Sequence, residues 1–250
     1  MAPKKSVVTS TGSETPNTNS LGRRLFLKAG GVLGFLLTIP SCLWAFFLEH
    51  LQVRTVEKDT FRFEPLSGLI RWKPKNGNDT YRLVVDGLVD KKTEVTYGDL
   101  RKLPQVAQTS DFHCVEGWSV KDLKWGGIRF EEIVKLAKPK SSAKYVIFHA
   151  LGETDAMSSG QSHYTESFPL AALLDAKKEC LLALTMNGKP LPHDHGAPMR
   201  LISPYDLGYK SIKFVSRIEF AAEQKPGWWT AANPIYPMDA PVPASRLRKK

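Results

Sequence analysis

Apolar residues recur in short runs between positions 81 and 220, and the spacing of these runs predicts strands and helices in alternation. Alternating or continuous apolar runs indicate strands, whereas apolar positions three and four apart indicate helices. The predicted strands are residues 81–89, 144–149, 181–186, 199–203 and 214–220, and the predicted helices are residues 96–104, 130–137 and 168–174. A turn is predicted at residues 125–129, where two glycines are adjacent. The helices are too short for repeated parallel crossovers, so the pattern predicts an α+β fold with a mixed β-sheet and short helices.

The N-terminal region has a different pattern. Residues 1–22 are rich in Ser, Thr, Asn and Pro, which predicts disorder. Arg23, Arg24 and Lys28 then precede residues 29–48, which carry no charge. Paired arginines in this position resemble the twin-arginine export signal, and about 20 apolar residues are enough to span a bilayer. We therefore expect residues 23–48 to form one hydrophobic helix that anchors an exported protein to the membrane, with the folded body on the extracytoplasmic side.

Composition divides the rest of the chain into three parts. Residues 49–80 are expected to form a linker and an N-terminal extension, and residues 81–223 contain the regular apolar pattern of a folded domain. Residues 224–250 are rich in Trp and Pro and finish with a basic tail. We expect this extension to wrap the surface of the domain, because it has little periodicity of its own.

The formal net charge of +10 gives little support to a nucleic-acid surface. Much of the positive charge lies in the first 50 residues and in the tail at 246–250, rather than in a patch on the folded body. The charge distribution therefore argues against a nucleic-acid partner, whereas the uncharged segment described above predicts attachment to a membrane. The tail itself is interpreted as a solvated run, or as one that lies beside a membrane.

The three cysteines have no spacing that would indicate a disulfide framework. Cys42 lies in the apolar N-terminal segment, and Cys180 precedes a buried strand, where a structural thiol is expected. Cys114 lies in the segment Phe-His-Cys-Val-Glu-Gly-Trp-Ser, with Glu116 two residues later. A thiolate there is suited to a soft or redox-active metal.

Two later segments combine glycine and proline with potential anion ligands. The first runs from residue 186 to 201 and presents His195 and Arg200 from a loop that leads into a strand. The second runs from 206 to 213 and contains Ser211 and Lys213, which could hold a phosphate.

Together the three segments resemble the molybdopterin-binding domain of the sulfite oxidase family, over roughly residues 81–229. The resemblance implies a sulfite-oxidase-type fold in which Cys114 is the molybdenum ligand and Glu116 lies near the metal. It also implies that His195 and Arg200 contact the pterin or its phosphate, and that Ser211 and Lys213 hold the phosphate end. The cysteine motif is similar to the periplasmic methionine-sulfoxide reductase branch, although His195 and Ala150 depart from that branch.

The expected function is that of an exported molybdopterin-dependent oxidoreductase, acting by oxo transfer on a small sulfur or nitrogen oxide or on methionine sulfoxide. Electrons would come from a separate partner, either a membrane haem or quinone protein or a cytochrome. The alternatives are oxidation of the sulfite dehydrogenase type, and a catalytically silent membrane-anchored binding or assembly protein on the same fold. A zinc pair made by His193 and His195 with His149 or His163 stays open, as does a nucleophilic Cys114–His dyad.

Overall fold

The computed structural model describes residues 57–58, 61–72, 77–154, 160–233 and 235–248. All of them belong to one compact unit, Val53–Lys250. The predicted disorder at 1–22 and the predicted helix at 23–48 lie outside the described residues. Among the residues that are described, no helix combines the length and the apolar character needed to cross a membrane.

Strands dominate the described part of the chain, and its helices are short. The strands are β1 (Glu57–Lys58), β2 (Phe61–Glu64), β3 (Leu69–Trp72), β4 (Asn78–Thr80), β5 (Arg82–Gly87), β6 (Thr93–Thr96), β7 (Val106–His113), β8 (Ser119–Ile128), β9 (Tyr145–Ala150), β10 (Glu153–Thr154), β11 (Thr165–Pro169), β12 (Leu181–Met186), β13 (Lys189–Pro190), β14 (Arg200–Ile202) and β15 (Val215–Ala221). The α-helices are α1 (Tyr97–Lys102), α2 (Phe130–Ala137), α3 (Leu170–Leu174) and α4 (Trp228–Ala232). Single 3-10 turns occur at Ala176–Lys178, His193–His195, Gly208–Lys210 and Ala244–Arg246.

The first large sheet has the strand order β11-β9-β15-β5-β6. Its β15–β5 pair is parallel and the other pairs are antiparallel, so the predicted mixed sheet is confirmed. Leu83 and Val85 alternate with more exposed neighbours along β5, which turns one face of that strand into the main hydrophobic core. Helix α2 covers this core through Phe130, whose ring lies 5.9 Å from that of Phe148 and 6.0 Å from that of Phe220.

The second large sheet has the order β13-β12-β8-β7, and β14 pairs with β12. The predicted turn at 125–129 is wrong, because residues 125–128 continue β8 and pair with β12. A Cβ atom on Gly127 would lie 2.0 Å from the carbonyl oxygen of Leu182, so the absence of a side chain permits the close approach of these two strands. The adjacent glycines therefore mark a tight strand contact and not a reversal of the chain.

Two smaller groups of strands complete the fold. Strands β2, β3 and β4 form an antiparallel meander, and β1 pairs with β10. Phe61 and Ile70 of the meander are buried in the main core, so the described part of the predicted linker and N-terminal extension packs against the rest of the domain.

Candidate active site

The site residues predicted from the sequence all line one cavity of about 410 Å³. A cavity of this size falls within the range of about 300–1,000 Å³ that is usual for ligand and cofactor sites. Its walls come from the end of β7, the loop into β8, the loops on either side of β14, the start of β11, and α4. The predicted residues that it brings together are Cys114, Glu116, His195, Arg200, Ser211 and Lys213.

Cys114 lies in a tight turn between β7 and β8. Its amide donates to the carbonyl oxygen of Trp118 at 2.9 Å, and its own carbonyl accepts from the amide of Gly117 at 3.2 Å. Gly117 has a φ of +99°, a conformation that residues with a Cβ rarely adopt. The glycine thus allows the chain to reverse within four residues and to present the cysteine side chain to the cavity.

Glu116 extends from the same turn. Its Oε2 accepts a hydrogen bond from Trp118 Nε1 at 3.0 Å and lies 3.9 Å from Cys114 Sγ. Burial raises the pKa of the Cys114 thiol, so this sulfur is protonated at neutral pH when no metal ion is bound. A coordinated metal ion removes such a proton, because thiolate is the form that binds metals.

His195 and Gly196 form the next wall. Gly196 has a φ of +102°, and a Cβ there would lie 2.7 Å from Cβ and Cγ of Lys213. Both the conformation and the contact require glycine, which places the side chain of Lys213 directly against the His195 turn. Burial lowers the pKa of His195, and the positive charges of Arg200 and Lys213 lower it further, so its imidazole is neutral at pH 7.

Arg200 is buried and joins two of the loops. Its guanidinium donates to the carbonyl oxygen of His195 at 3.1 Å and to that of Ser211 at 2.9 Å. The same group lies 5.7 Å from the ring centroid of Phe112 and 5.4 Å from that of Trp125. Arg200 therefore fixes the relative positions of the two predicted anion-binding loops in addition to lining the cavity.

Ser211 and Lys213 lie on the loop between β14 and β15. The hydroxyl of Ser211 accepts the amide of Ser203 at 3.1 Å, which leaves its own proton available to a ligand. Lys213 Nζ donates to the carbonyl oxygen of Asp194 at 3.2 Å. Gly208 opens this loop, and a Cβ on it would lie 2.2 Å from Cζ of Phe112. The loop thus depends on a glycine for its close approach to β7.

The sequence did not indicate the aromatic wall of the cavity. Four rings follow one another: Tyr164 to Trp229 at 6.2 Å, Trp229 to Tyr236 at 5.4 Å, and Tyr236 to Tyr209 at 5.3 Å. All four line the cavity. The pair Trp228-Trp229 could have signalled a packing site, but the positions at 164, 209 and 236 share no local pattern with it.

The sequence also missed Arg246, which contacts the cysteine turn. Its guanidinium donates to the carbonyl oxygens of Cys114 at 2.9 Å and Trp118 at 2.5 Å. The interpretation of the tail as a solvated or membrane-adjacent run is therefore wrong for Arg246. Arg248 stays exposed, as that interpretation predicts, and forms a surface ion pair with Asp111 at 2.6 Å. A run of basic residues has no periodicity from which such distant partners could be inferred.

The structure does not support the zinc alternative. The ring of His193 packs against Phe61 and Phe214, with centroids 5.0 Å and 5.4 Å away. His149 instead contacts His163 at 3.4 Å and Glu219 at 3.0 Å. Within the described residues, no group of three or more His, Cys, Asp or Glu side chains is placed to hold a metal ion.

The residues of the cavity fit the cofactor implied by the sequence. One cysteine sulfur, two cationic side chains and a serine hydroxyl meet in a single cavity, which matches a soft metal carried on an anionic organic group. The two glycines at 196 and 208 are in close contact with the cavity-lining residues Lys213 and Phe112, and a Cβ at either position would displace one of them.

Comparisons with known proteins agree with this assignment. The model of the oxidoreductase molybdopterin binding domain matches residues 71–229. The uncharacterized oxidoreductase YuiH of Bacillus subtilis is 36% identical over 149 residues, which are 60% of this chain and 69% of that protein. The putative protein-methionine-sulfoxide reductase subunit YedZ1 of Azospira oryzae is 34% identical over 60% of this chain and 52% of its own. The protein-methionine-sulfoxide reductase catalytic subunit MsrP of Campylobacter jejuni is 31% identical over 62% of this chain and 53% of its own.

The chain spans about half the length of the last two relatives. Among solved structures, the sulfane dehydrogenase SoxCD from Paracoccus pantotrophus has a TM-score of 0.50 at 21% identity, covering 71% of this chain and 52% of that chain. At this identity the likeness shows the shared fold alone. The family match covers well over half of the chain, and the cavity holds the residues of the three motifs. The chain therefore belongs to the family of oxidoreductase molybdopterin-binding domains, the sulfite oxidase family, and is an oxidoreductase whose cofactor is molybdopterin.

Proposed function

We propose that the protein reduces an uncharged sulfoxide, such as methionine sulfoxide, to the thioether. Two electrons and two protons enter, the sulfur–oxygen bond breaks, and the oxygen leaves as water. The cofactor supplies the oxo-transfer and redox chemistry. The electrons come from a separate haem, quinone or cytochrome protein, as the sequence predicted.

The observation that carries this proposal is the charge distribution of the cavity. Its walls are mainly aromatic and aliphatic, and the carboxylate of Glu116 lies 3.9 Å from the predicted metal ligand. The two Lys or Arg side chains among its lining residues are Arg200 and Lys213, which we assign to the cofactor. An anionic substrate such as sulfite would meet the Glu116 carboxylate, and no Lys or Arg side chain among the described lining residues is left to balance it. The nearby Arg246 donates to the carbonyl oxygens of the Cys114 turn and does not line the cavity. A neutral sulfoxide would not be repelled, and its hydrocarbon groups suit the aromatic wall.

We assign the roles of the chain's own residues as follows. Cys114 holds the metal through its sulfur, and the turn around it fixes the direction of that sulfur. Arg200, Ser211, Lys213 and His195 hold the pterin and its phosphate. The carboxylate of Glu116, which accepts a hydrogen bond from the indole N–H of Trp118, takes up a proton from solvent during turnover and passes it to the departing oxygen.

The test compares metal content and two activities in matched variants. Wild type should contain about one molybdenum per chain and reduce sulfoxides with a reduced viologen dye. Cys114→Ala should lose the metal, whereas Cys180→Ala, which changes a buried thiol outside the cavity, should retain it. Glu116→Gln should keep the metal and lose most of the sulfoxide turnover, about 10²-fold or more for a general acid.

Three results would count against the proposal. Oxidation of sulfite with an acceptor dye, without sulfoxide reduction, would favour the sulfite dehydrogenase alternative. A folded wild-type protein without molybdenum and without either activity would favour the silent binding protein. Full metal content in Cys114→Ala would remove the ligand assignment.

We also propose that the protein works on the extracytoplasmic side of the membrane and stays attached through residues 23–48. The paired arginines and the uncharged segment support this location. Replacing Arg23 and Arg24 together by lysine should retain the protein in the cytoplasm, as measured by cell fractionation. Release of wild type from washed membranes by high salt alone would contradict the anchor.

A further inference from the structure

The described residues 235–248 form a strap that runs along one loop of the site and ends at another. Four hydrogen bonds join its first part to residues 205–210 of the loop that carries Ser211. They run from Tyr209 Oη to the carbonyl of Pro237 (2.6 Å), from Lys210 Nζ to that of Met238 (2.7 Å), from the Leu207 amide to that of Ala240 (2.8 Å), and from the Val242 amide to that of Tyr205 (2.8 Å). Ala240 and Val242 are buried, so this part is packed as well as hydrogen-bonded.

The far part of the strap contacts the Cys114 turn. The Arg246 guanidinium donates to the carbonyls of Cys114 and Trp118, the residues whose own amide–carbonyl bond closes the turn. It also donates to Ser119 Oγ at 3.0 Å, and that oxygen lies 2.8 Å from Nδ1 of the buried His113. A planar guanidinium can satisfy several acceptors in fixed directions, which a lysine ammonium cannot reproduce.

A second arginine fastens the strap outside the turn. Arg248 donates to both carboxylate oxygens of Asp111, at 2.7 Å and 2.6 Å, and forms an ion pair with Asp122 at 2.8 Å. Asp111 belongs to β7 and Asp122 to β8. Arg248 therefore attaches the strap to the strands that flank the turn, whereas Arg246 acts on the turn itself.

We propose that the strap ties the two sides of the cofactor site together, and that Arg246 is the positioning residue that holds the Cys114 turn in its ligand-presenting form. The expected effect on metal binding rests on the proposed role of Cys114 as metal ligand, whereas the placement of the turn by Arg246 is argued from geometry alone. Tyr236, which belongs to the strap, also lines the cavity. Loss of Arg246 would thus free the turn on one side of the site without touching the phosphate-binding side.

The experiment uses full-length Arg246→Gln, Arg246→Lys and, as the matched control, Arg248→Gln. Amide hydrogen exchange at Cys114 and Gly117 reports the turn directly. Arg246→Gln should exchange about tenfold faster there, corresponding to the loss of a charge-assisted hydrogen bond. The same variant should hold less than half the wild-type molybdenum and show a shifted sulfur-to-metal absorption band. Arg246→Lys should restore these readouts in part, and Arg248→Gln should stay close to wild type in all of them.

Unchanged exchange and unchanged metal content in Arg246→Gln, with the unfolding midpoint preserved, would overturn the proposal. Equal effects in Arg246→Gln and Arg248→Gln would also overturn it, because simple attachment of the strap would then suffice. If Cys114→Ala keeps its metal while Arg246→Gln still exchanges faster, the positioning of the turn is supported and the proposed ligand role fails.

Discussion

Replacement of Lys210 by methionine should destabilise the protein more than any surface substitution of the same kind. Lys210 is buried between the cavity-lining residues Tyr209 and Ser211. Its ammonium donates to Glu166 Oε1 at 2.6 Å, to the carbonyl of Ser167 at 2.9 Å and to that of Met238 at 2.7 Å. The side chains of Lys210 and Glu166 are only 3% and 2% exposed, so water cannot replace the lost partner.

The expected cost is about 3–5 kcal/mol, because removal of one member of a buried ion pair leaves the other charge uncompensated. For a domain of this size that corresponds to a fall in Tm of roughly 6–20 °C. The cost should also depend on pH. Burial raises the pKa of Glu166, and Lys210 opposes this shift, so without Lys210 the folded-state pKa rises further. A carboxyl group whose pKa is raised by folding stabilises the folded state at acid pH, and this stabilisation is lost as the pH rises. The variant should therefore be least stable, relative to wild type, at neutral and alkaline pH.

Urea unfolding at pH 5 and pH 7.5 measures both effects, with the double variant Lys210→Met, Glu166→Gln as the matched control. The double variant contains no buried charge at this position and should recover most of the loss at pH 7.5. Equal stability of the single and double variants at both pH values would refute the reasoning, because it would show that the lost packing and not the stranded carboxylate sets the cost.

Three further predictions concern other parts of the domain. Gly208→Ala should lower the free energy of unfolding by about 1–3 kcal/mol, because the added Cβ would overpack against the phenyl ring that it touches. Gly98→Ala, whose Cβ has room, should be neutral or stabilising in urea unfolding. Equal losses in the two variants would contradict the contact. Burial raises the pKa of Cys180 to about 11. In protein that lacks the cofactor, Cys114 should therefore react with iodoacetamide far faster than Cys180, and metal loading should protect Cys114. Equal alkylation rates of the two cysteines, measured by mass spectrometry, would contradict this. Burial, followed by the charge of Arg217, lowers the pKa of His149, so the free energy of unfolding should fall as the pH drops below about 6.5. His149→Gln should flatten that dependence when unfolding is measured at pH 5.5 and 7.5. An unchanged dependence on pH would exclude this residue as its source.

The sequence predicted best those elements whose apolar pattern is strong over a short range. Helix α2 and strand β12 begin and end at the predicted residues, 130–137 and 181–186. Strands β7 and β8 were not predicted, because most of their residues are exposed or only partly buried. Their pairing follows from contacts with each other and with β12, and such contacts leave little trace in local spacing.

The same distinction applies to the site. The six predicted residues lie in three short motifs held by glycine and proline, and all of them reach one cavity. Arg246 lies 132 positions from Cys114, and no local rule connects a tail arginine to a distant carbonyl. The aromatic wall was missed for the same reason, since its members come from four separate segments of the chain.

The parallel pairing of β5 with β15 has a consequence for synthesis of the protein. Val84 pairs with Arg217, so one edge of β5 lacks its strand partner until more than a hundred further residues have been translated. At about 5–20 residues per second this interval is on the order of 7–27 s. During that time the β5–β6 hairpin has an open edge of the kind that promotes association between nascent chains. We expect a chaperone bound to this segment on the ribosome to increase the yield of folded protein, and cofactor loading to follow the closure of the sheet.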